Sequence, residues 1–258
     1  MGEGPRWDAD AEELIWVDIH GETLHAGERS LRCGSKVCAA APWKRGTVLV
    51  ALADALAAVR FGDGAVVRLA EVPHAQAGMR CNDGACDAAG RFWIGTMAED
   101  LTPGVAALYR FDSDGELHTM ISGVTLSNGL GWAPSGRLMY YIDSTTQRID
   151  ALDYDVASGT VANRRPFAAI PRDDGIPDGL AVDHDGGVWV ALYGGGEVRR
   201  FAPDGRVYGR VEVPEPEVTA CCFAGRRLYV TTAGGLFALD VPFSGPPAQP
   251  FVGCGLTV

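Results

Sequence analysis

The stretch Asp87-Ala-Ala-Gly90-Arg-Phe-Trp93-Ile94 sets an acidic residue ahead of a glycine turn and then an aromatic, apolar strand. The phrase returns as Pro134-Ser-Gly136-Arg-Leu-Met-Tyr-Tyr141-Ile-Asp143, as Asp183-His-Asp-Gly186-Gly-Val-Trp189-Val190, and as Ala224-Gly225-Arg-Arg-Leu-Tyr229-Val230. Weaker copies are Asp10-Ala-Glu-Glu-Leu-Ile-Trp16-Val-Asp18 and Lys44-Arg-Gly46-Thr-Val-Leu49-Val50. The six strand markers at 16, 49, 93, 141, 189 and 229 lie 33, 44, 48, 48 and 40 residues apart. After four of them comes a second strand that ends in an acidic or glycine-rich turn, as in Leu108-Tyr-Arg-Phe-Asp112-Ser-Asp-Gly115. Repeats of this length, each holding several β-branched or aromatic strands bounded by turn residues, are the mark of a propeller. The expected fold is therefore all-β, a six-bladed β-propeller with four-stranded blades in a single domain over residues 1–258. The ring is expected to close through N- and C-terminal strands, because each blade needs a neighbour on both faces. Leu236 to Val241 reads as a late strand, Ala248 to Val252 as a tail pairing with the N-terminal blade, and Pro242 to Pro250 as the last connection. Ala51 to Val59, read alone, would pass for a helix.

Composition narrows the function. The net charge is -11 and the sequence pI about 4.8. That excludes nucleic acid, whose phosphates need a basic surface, and disfavours acidic membranes. The longest apolar run, Thr47 to Val59, is too short to span a bilayer and contains Asp54. No early segment reads as a signal peptide. Seven cysteines, an odd number with Cys221 and Cys222 adjacent, argue for free thiols in a reducing cytoplasm. The sequence carries no signal for oligomeric state.

Glu3, Asn82, Asn128 and Asp178 stand 11 or 13 residues ahead of the markers Trp16, Trp93, Tyr141 and Trp189. Equivalent inner positions of a closed ring converge on its axis. Two carboxylates and two amides meeting there would hold a hard divalent cation through oxygen. In this reading each polar residue sits before or near a glycine that turns the chain sharply and points the side chain inward. Thr219-Ala-Cys221 is a weak member, and the second blade offers only Cys38-Ala-Ala-Ala-Pro42, so the site has a polar and an apolar side.

Gly2-Glu3-Gly4-Pro5-x-Trp7, Arg80-x-Asn82-Asp83-Gly84, Gly95-Thr96-Met97, Ser127-Asn128-Gly129-Leu130, Tyr141-Ile-Asp143-Ser144 and Pro177-Asp178-Gly179-Leu180 resemble the gluconolactonase/regucalcin (senescence marker protein) family. The likeness runs from residue 2 to about residue 240, with the motifs in family order. It implies a six-bladed propeller carrying one divalent metal ion and hydrolysing a sugar lactone. It implies further that Glu3, Asn128 and Asp178 bind the metal, that Asp178 is the catalytic acid/base, and that Arg80 and Asn82 bind substrate. Glu99 or Asp100 falls where some members place another substrate-contacting carboxylate. Ala85 departs from the Asn-Asp-Gly-Lys continuation common in the family. Glu3 also lies close to Met1, so either the natural start is upstream or metal binding orders this end.

The oxygen-only ligand set points to calcium first, with zinc, magnesium or manganese as alternatives. The expected partner is a small-molecule sugar lactone, hydrolysed to its aldonic acid. The rival readings are a propeller esterase or lactonase acting on non-sugar esters, and a non-catalytic calcium-binding propeller.

Overall fold

A computed structural model describes residues 1–44 and 46–253. Arg45, inside the second weak copy of the repeat, and the seventh cysteine, Cys254, lie outside the described residues.

The turn phrase acts as a local folding unit. Asp87 Oδ1 accepts hydrogen bonds from Ala89 N (2.9 Å) and Arg91 N (3.1 Å), and Oδ2 accepts from Arg91 Nε (2.8 Å) and Trp93 Nε1 (2.9 Å). Asp183 repeats the arrangement with Asp185 N, Gly187 N, Trp189 Nε1 and Arg200 Nε, at 2.7 to 3.0 Å. One carboxylate thus closes the turn and ties down the indole of the strand that follows. Gly90 and Gly186 take φ of 76° and 81°, a left-handed backbone that favours glycine.

Five sheets follow, each an antiparallel meander in chain order. The first holds β1 (Gly2–Asp8), β2 (Glu13–Asp18), β3 (Thr23–Ala26) and β4 (Arg29–Arg32). The second holds β5 (Val37–Pro42), β6 (Thr47–Leu52), β7 (Ala55–Arg60) and β8 (Ala65–Glu71). The third holds β9 (Met79–Cys86), β10 (Phe92–Ala98), β11 (Ala106–Phe111) and β12 (Leu117–Val124). The fourth holds β13 (Ser127–Trp132), β14 (Leu138–Asp143), β15 (Arg148–Asp155) and β16 (Thr160–Ala169). The fifth holds β17 (Ile176–Val182), β18 (Val188–Tyr193), β19 (Glu197–Phe201) and β20 (Val207–Glu212). Four-stranded meanders repeated in this way are the blades of a β-propeller. The first three strands of the second sheet are buried almost throughout, whereas β8 is mostly half-buried or exposed. The stretch Ala51 to Val59 is therefore strand, turn, strand. Covering both faces removes the alternation that would have distinguished it from a helix.

The sixth sheet departs from the expected four strands. It pairs β21 (Val218–Thr232) with β22 (Leu236–Gly245). The hydroxyl oxygens of Thr219 and Thr231 lie within hydrogen-bond distance, at 2.9 Å. Twelve residues of straight strand would hold them roughly 40 Å apart. β21 therefore doubles back, at Gly225 (φ 62°), and the sheet has three strand segments. The tail also differs from the expectation. Ala248 to Val252 is not a strand, because Pro246, Pro247 and Pro250 remove ladder donors. It makes single bonds instead: Ala248 N to Trp7 O, Phe251 N to Pro42 O, and Val252 N to Gly90 O. The last connection is shorter than expected, since β22 runs through Pro242 to Gly245.

The described chain divides into two compact units, Met1–Pro5 with Asn128–Pro247, and Arg6–Ser127 with the residues from Ala248 on. In the first, the fourth and fifth sheets share a core around Tyr140, Ile142, Val188 and Phe201. A further core joins the fifth and sixth sheets at Trp189, Phe223 and Leu228. In the second, the core holds Leu49, Phe92, Ile94 and Phe111, and Phe251 of the tail stacks on Phe111 at 5.4 Å. Arg6 on β1 donates through Nη2 to Gly84 O (2.8 Å) and pairs with Asp83 Oδ1 (3.2 Å), so the first strands of two different sheets meet there.

Candidate functional site

The first strands of four sheets carry the four polar residues singled out in the sequence. They do not precede turns; they lie inside β1, β9, β13 and β17. Gly129 and Gly179 have no left-handed backbone and serve another purpose. A Cβ on Gly129 would stand 2.5 Å from Asp178 O and 2.8 Å from Leu180 N. One on Gly179 would stand 2.5 Å from the Ala220 Cβ and 2.9 Å from Thr219 O. These glycines let neighbouring first strands approach backbone to backbone.

The register shows what aims the side chains. Pro177 pairs with Leu192 but Leu180 with Val190, so Asp178-Gly179 carries one extra residue. In β9, Cys81 pairs with Thr96 and Gly84 with Ile94, so the extra residue lies at Asn82-Asp83. In β5 it is Cys38, between Val37 paired with Leu52 and Ala39 paired with Ala51. A bulge bends its strand and re-aims a side chain, and here it recurs at matching places in three sheets.

Two clusters result, one in each compact unit. The first contains Glu3, Asn128 and Asp178, which are 8%, 6% and 7% exposed. The Gly129–Asp178 and Gly179–Thr219 approaches lead to Gly2, whose carbonyl accepts from Thr219 Oγ1 at 2.7 Å. The backbone of all three residues is thus linked by steps of one contact each. Glu3 Oε2 accepts from Gly4 N at 3.0 Å. Ser144 Oγ donates to Pro177 O at 2.6 Å, which commits its one proton. It must therefore accept at 2.8 Å from Asn128 Nδ2, leaving Oδ1 as the amide's acceptor end. Two buried carboxylates and an amide oriented this way have the oxygen chemistry that a hard divalent cation takes. Among the described residues no three His, Cys, Asp or Glu side chains gather into a metal cluster, so the amide is needed to complete the set. Tyr193 is an addition that sequence reasoning missed. Burial raises its phenol pKa first, then a hydrogen bond to Glu217 and the charges of Glu217 and Asp178.

The second cluster contains Arg80, Asn82 and Glu99. Arg80 Nη1 donates to Asn82 Oδ1 (2.7 Å) and Cys81 O (2.9 Å), and Asn82 Nδ2 donates to Ser127 O (2.8 Å). Glu99 pairs with Arg80 Nε at 3.6 Å and with Lys36 Nζ. The Lys36 hydrogen bond is the main cause holding the Glu99 carboxyl below its ordinary range. Asp100 lies apart from this network: its Oδ1 accepts from Thr102 N (3.0 Å) and Oγ1 (2.7 Å) in an exposed turn. Lys36 escapes sequence reasoning because it precedes a strand of small apolar residues with nothing polar to mark it. The six described cysteines are free thiols.

Residues 1–234 match the family described as SMP-30/gluconolactonase/LRE-like region. A Bacillus subtilis relative, YvrE, whose name proposes it as a sugar lactone lactonase, is 35% identical over 98% of this chain and 95% of its own. Regucalcin of Danio rerio is 35% identical over 100% of this chain and 90% of its own. The crystal structure of Agrobacterium tumefaciens regucalcin, described as a calcium-binding protein, superposes with a TM-score of 0.92 at 26% identity, covering 98% of this chain and 93% of that one. That of a Xanthomonas campestris gluconolactonase gives 0.77 at 25% identity, over 93% and 86%. With motifs and sheets in agreement with these matches, the chain belongs to the SMP-30/gluconolactonase/LRE-like family.

Proposed function

We propose that this protein is a cytoplasmic, metal-dependent sugar lactonase, one domain of six blades over residues 1–258. Two of the three unit boundaries support one domain, since they fall inside β1 and between Ser127 and Asn128 of β13, whereas domain boundaries fall in exposed linkers. The observation that carries the activity is the hydrogen-bond chain from Asn128 through Ser144 to Pro177. It fixes an amide next to the strand that bears Asp178.

Glu3, Asn128 and Asp178 would hold the divalent ion, calcium before zinc, magnesium or manganese. When bound, the ion supplies Lewis-acid stabilisation of charge on the lactone carbonyl oxygen. The protein's own groups do the rest. Asp178 takes a proton from the attacking water as oxygen adds to the carbonyl carbon, and returns it to the ring oxygen as the ring C–O bond breaks. The product acid ionises and releases one proton. Asn82 and Arg80, locked together by their mutual hydrogen bond, present donors to sugar hydroxyls, and Glu99 accepts from them. Asp100 would serve at most from its exposed turn.

An indicator assay on five- and six-membered aldonolactones, with and without chelator, tests this. Acid release that needs metal and vanishes in Asp178→Ala is the expected result. Tight calcium binding without turnover of any lactone would instead make this a binding protein. Turnover of aryl esters but not sugar lactones would shift the substrate class.

A further inference from the structure

Among the 22 lysines and arginines, all but Lys36 and Lys44 are arginine. Lys36 stands two residues ahead of the bulge at Cys38, as Arg80 stands two ahead of Asn82. The two cations therefore stand at the same offset from the bulge in neighbouring repeats, Arg80 within β9 and Lys36 just ahead of β5. Contacts agree: Arg80 Nη1 reaches Cys38 Sγ at 3.9 Å, and Lys36 and Arg80 both meet Glu99 Oε1. Two fixed cations face one carboxylate, in a chain whose net charge is -11.

We infer that Lys36 and Arg80 form an anion-recognition element and that the preferred sugar carries an ionised substituent, a carboxylate or a phosphate. As a statement about substrate, this rests on the lactonase reading. Neutral hydroxyls are served by the amide of Asn82 and the carboxylate of Glu99, and gain little from a second full charge. An anion is different, because its acceptor oxygens need both charge and donors. Among the described residues, Lys36 bonds only Glu99 and Arg80 Nη2 makes no hydrogen bond, so ammonium and guanidinium donors remain for a ligand. The Arg80 side chain is 9% exposed and held by Cys81 O and Asn82 Oδ1, a rigid floor. Lys36 and Glu99 are 33% and 50% exposed, so the carboxylate can turn aside as an anion arrives.

Titration calorimetry with glucose, glucuronate and glucose 6-phosphate tests the inference without any lactone being hydrolysed. Wild-type protein is expected to bind at least one anionic sugar about tenfold or more tighter than glucose, and the two anionic arms tell carboxylate from phosphate. Lys36→Met is expected to erase that advantage while leaving glucose binding within about twofold. Equal binding of all three sugars, no binding of any, or an equal loss for all three in Lys36→Met would overturn it. Parallel rates on gluconolactone and 6-phosphogluconolactone, which keeps an ionised group beside the lactone ring, separate the two claims. An anion preference without turnover sinks the lactonase reading alone, and turnover without the preference sinks this one alone.

Discussion

At the scale of single residues, the account depends on which way a few polar groups face. Ser144 donates to Pro177 O and so can only accept from Asn128. Removing it takes away the bond that sets which end of the Asn128 amide faces Ser144, and groups that orient a metal ligand are worth about 10- to 100-fold in affinity. Ser144→Ala is thus expected to weaken calcium binding by that factor in calorimetry, with the fold intact by circular dichroism. Glu99 gives a pH prediction. Its folded pKa is lowered, chiefly by Lys36, so its pairing stabilises the protein above the unfolded carboxyl pKa of about 4.3. That contribution is lost as pH falls through the lower folded value. Because half of Glu99 is exposed, the effect is small and is best read directly. A carbon-13 titration of the Glu99 carboxyl should show its midpoint rising in Lys36→Met. An unchanged midpoint would mean that the pair does not exist in solution. That Asn128 and Asp178 hold matching places on first strands was legible because they recur at fixed distances from the markers. The place of Lys36 was not, because only the Cys38 bulge reveals that it stands at the same offset as Arg80.

At the scale of the element, glycine has two jobs that look alike in sequence. Gly136 takes φ of 67°, and a Cβ added there would have nothing within 4 Å, so alanine meets only backbone strain, about 1 kcal/mol. Gly129 has ordinary φ, but a Cβ would press on Asp178 O at 2.5 Å. Gly129→Ala should cost about 1–3 kcal/mol in urea unfolding and also weaken metal binding, whereas Gly136→Ala should leave metal affinity unchanged. The Asn-Gly and Asp-Gly pairs were legible as important but misleading as turns, because close strand approach leaves no local sequence mark. The Asp87 and Asp183 turns were legible outright. Asp183 accepts four hydrogen bonds, so Asp183→Ala strands Trp189 Nε1 and Arg200 in the core. A loss of about 3 kcal/mol or more in urea unfolding is expected, with calcium affinity retained in the folded fraction.

At the scale of the whole molecule, the 33- to 48-residue spacing of the markers was enough to fix the class, since each unit folds into a meander that must be covered by its neighbours. The last unit was harder. Its long strand doubles back at Gly225, and the prolines at 246, 247 and 250 keep the tail from completing a ladder. Neither the three-segment sheet nor the single tail bonds to Trp7, Pro42 and Gly90 follow from local propensity. The central claim is that residues as far apart in sequence as Glu3, Asn128 and Asp178 hold one divalent cation. Anomalous diffraction from crystals soaked in manganese tests it most directly. The account predicts a single strong peak with oxygens of all three side chains at about 2.1–2.6 Å. A peak bound elsewhere, or none at saturating manganese, would contradict it.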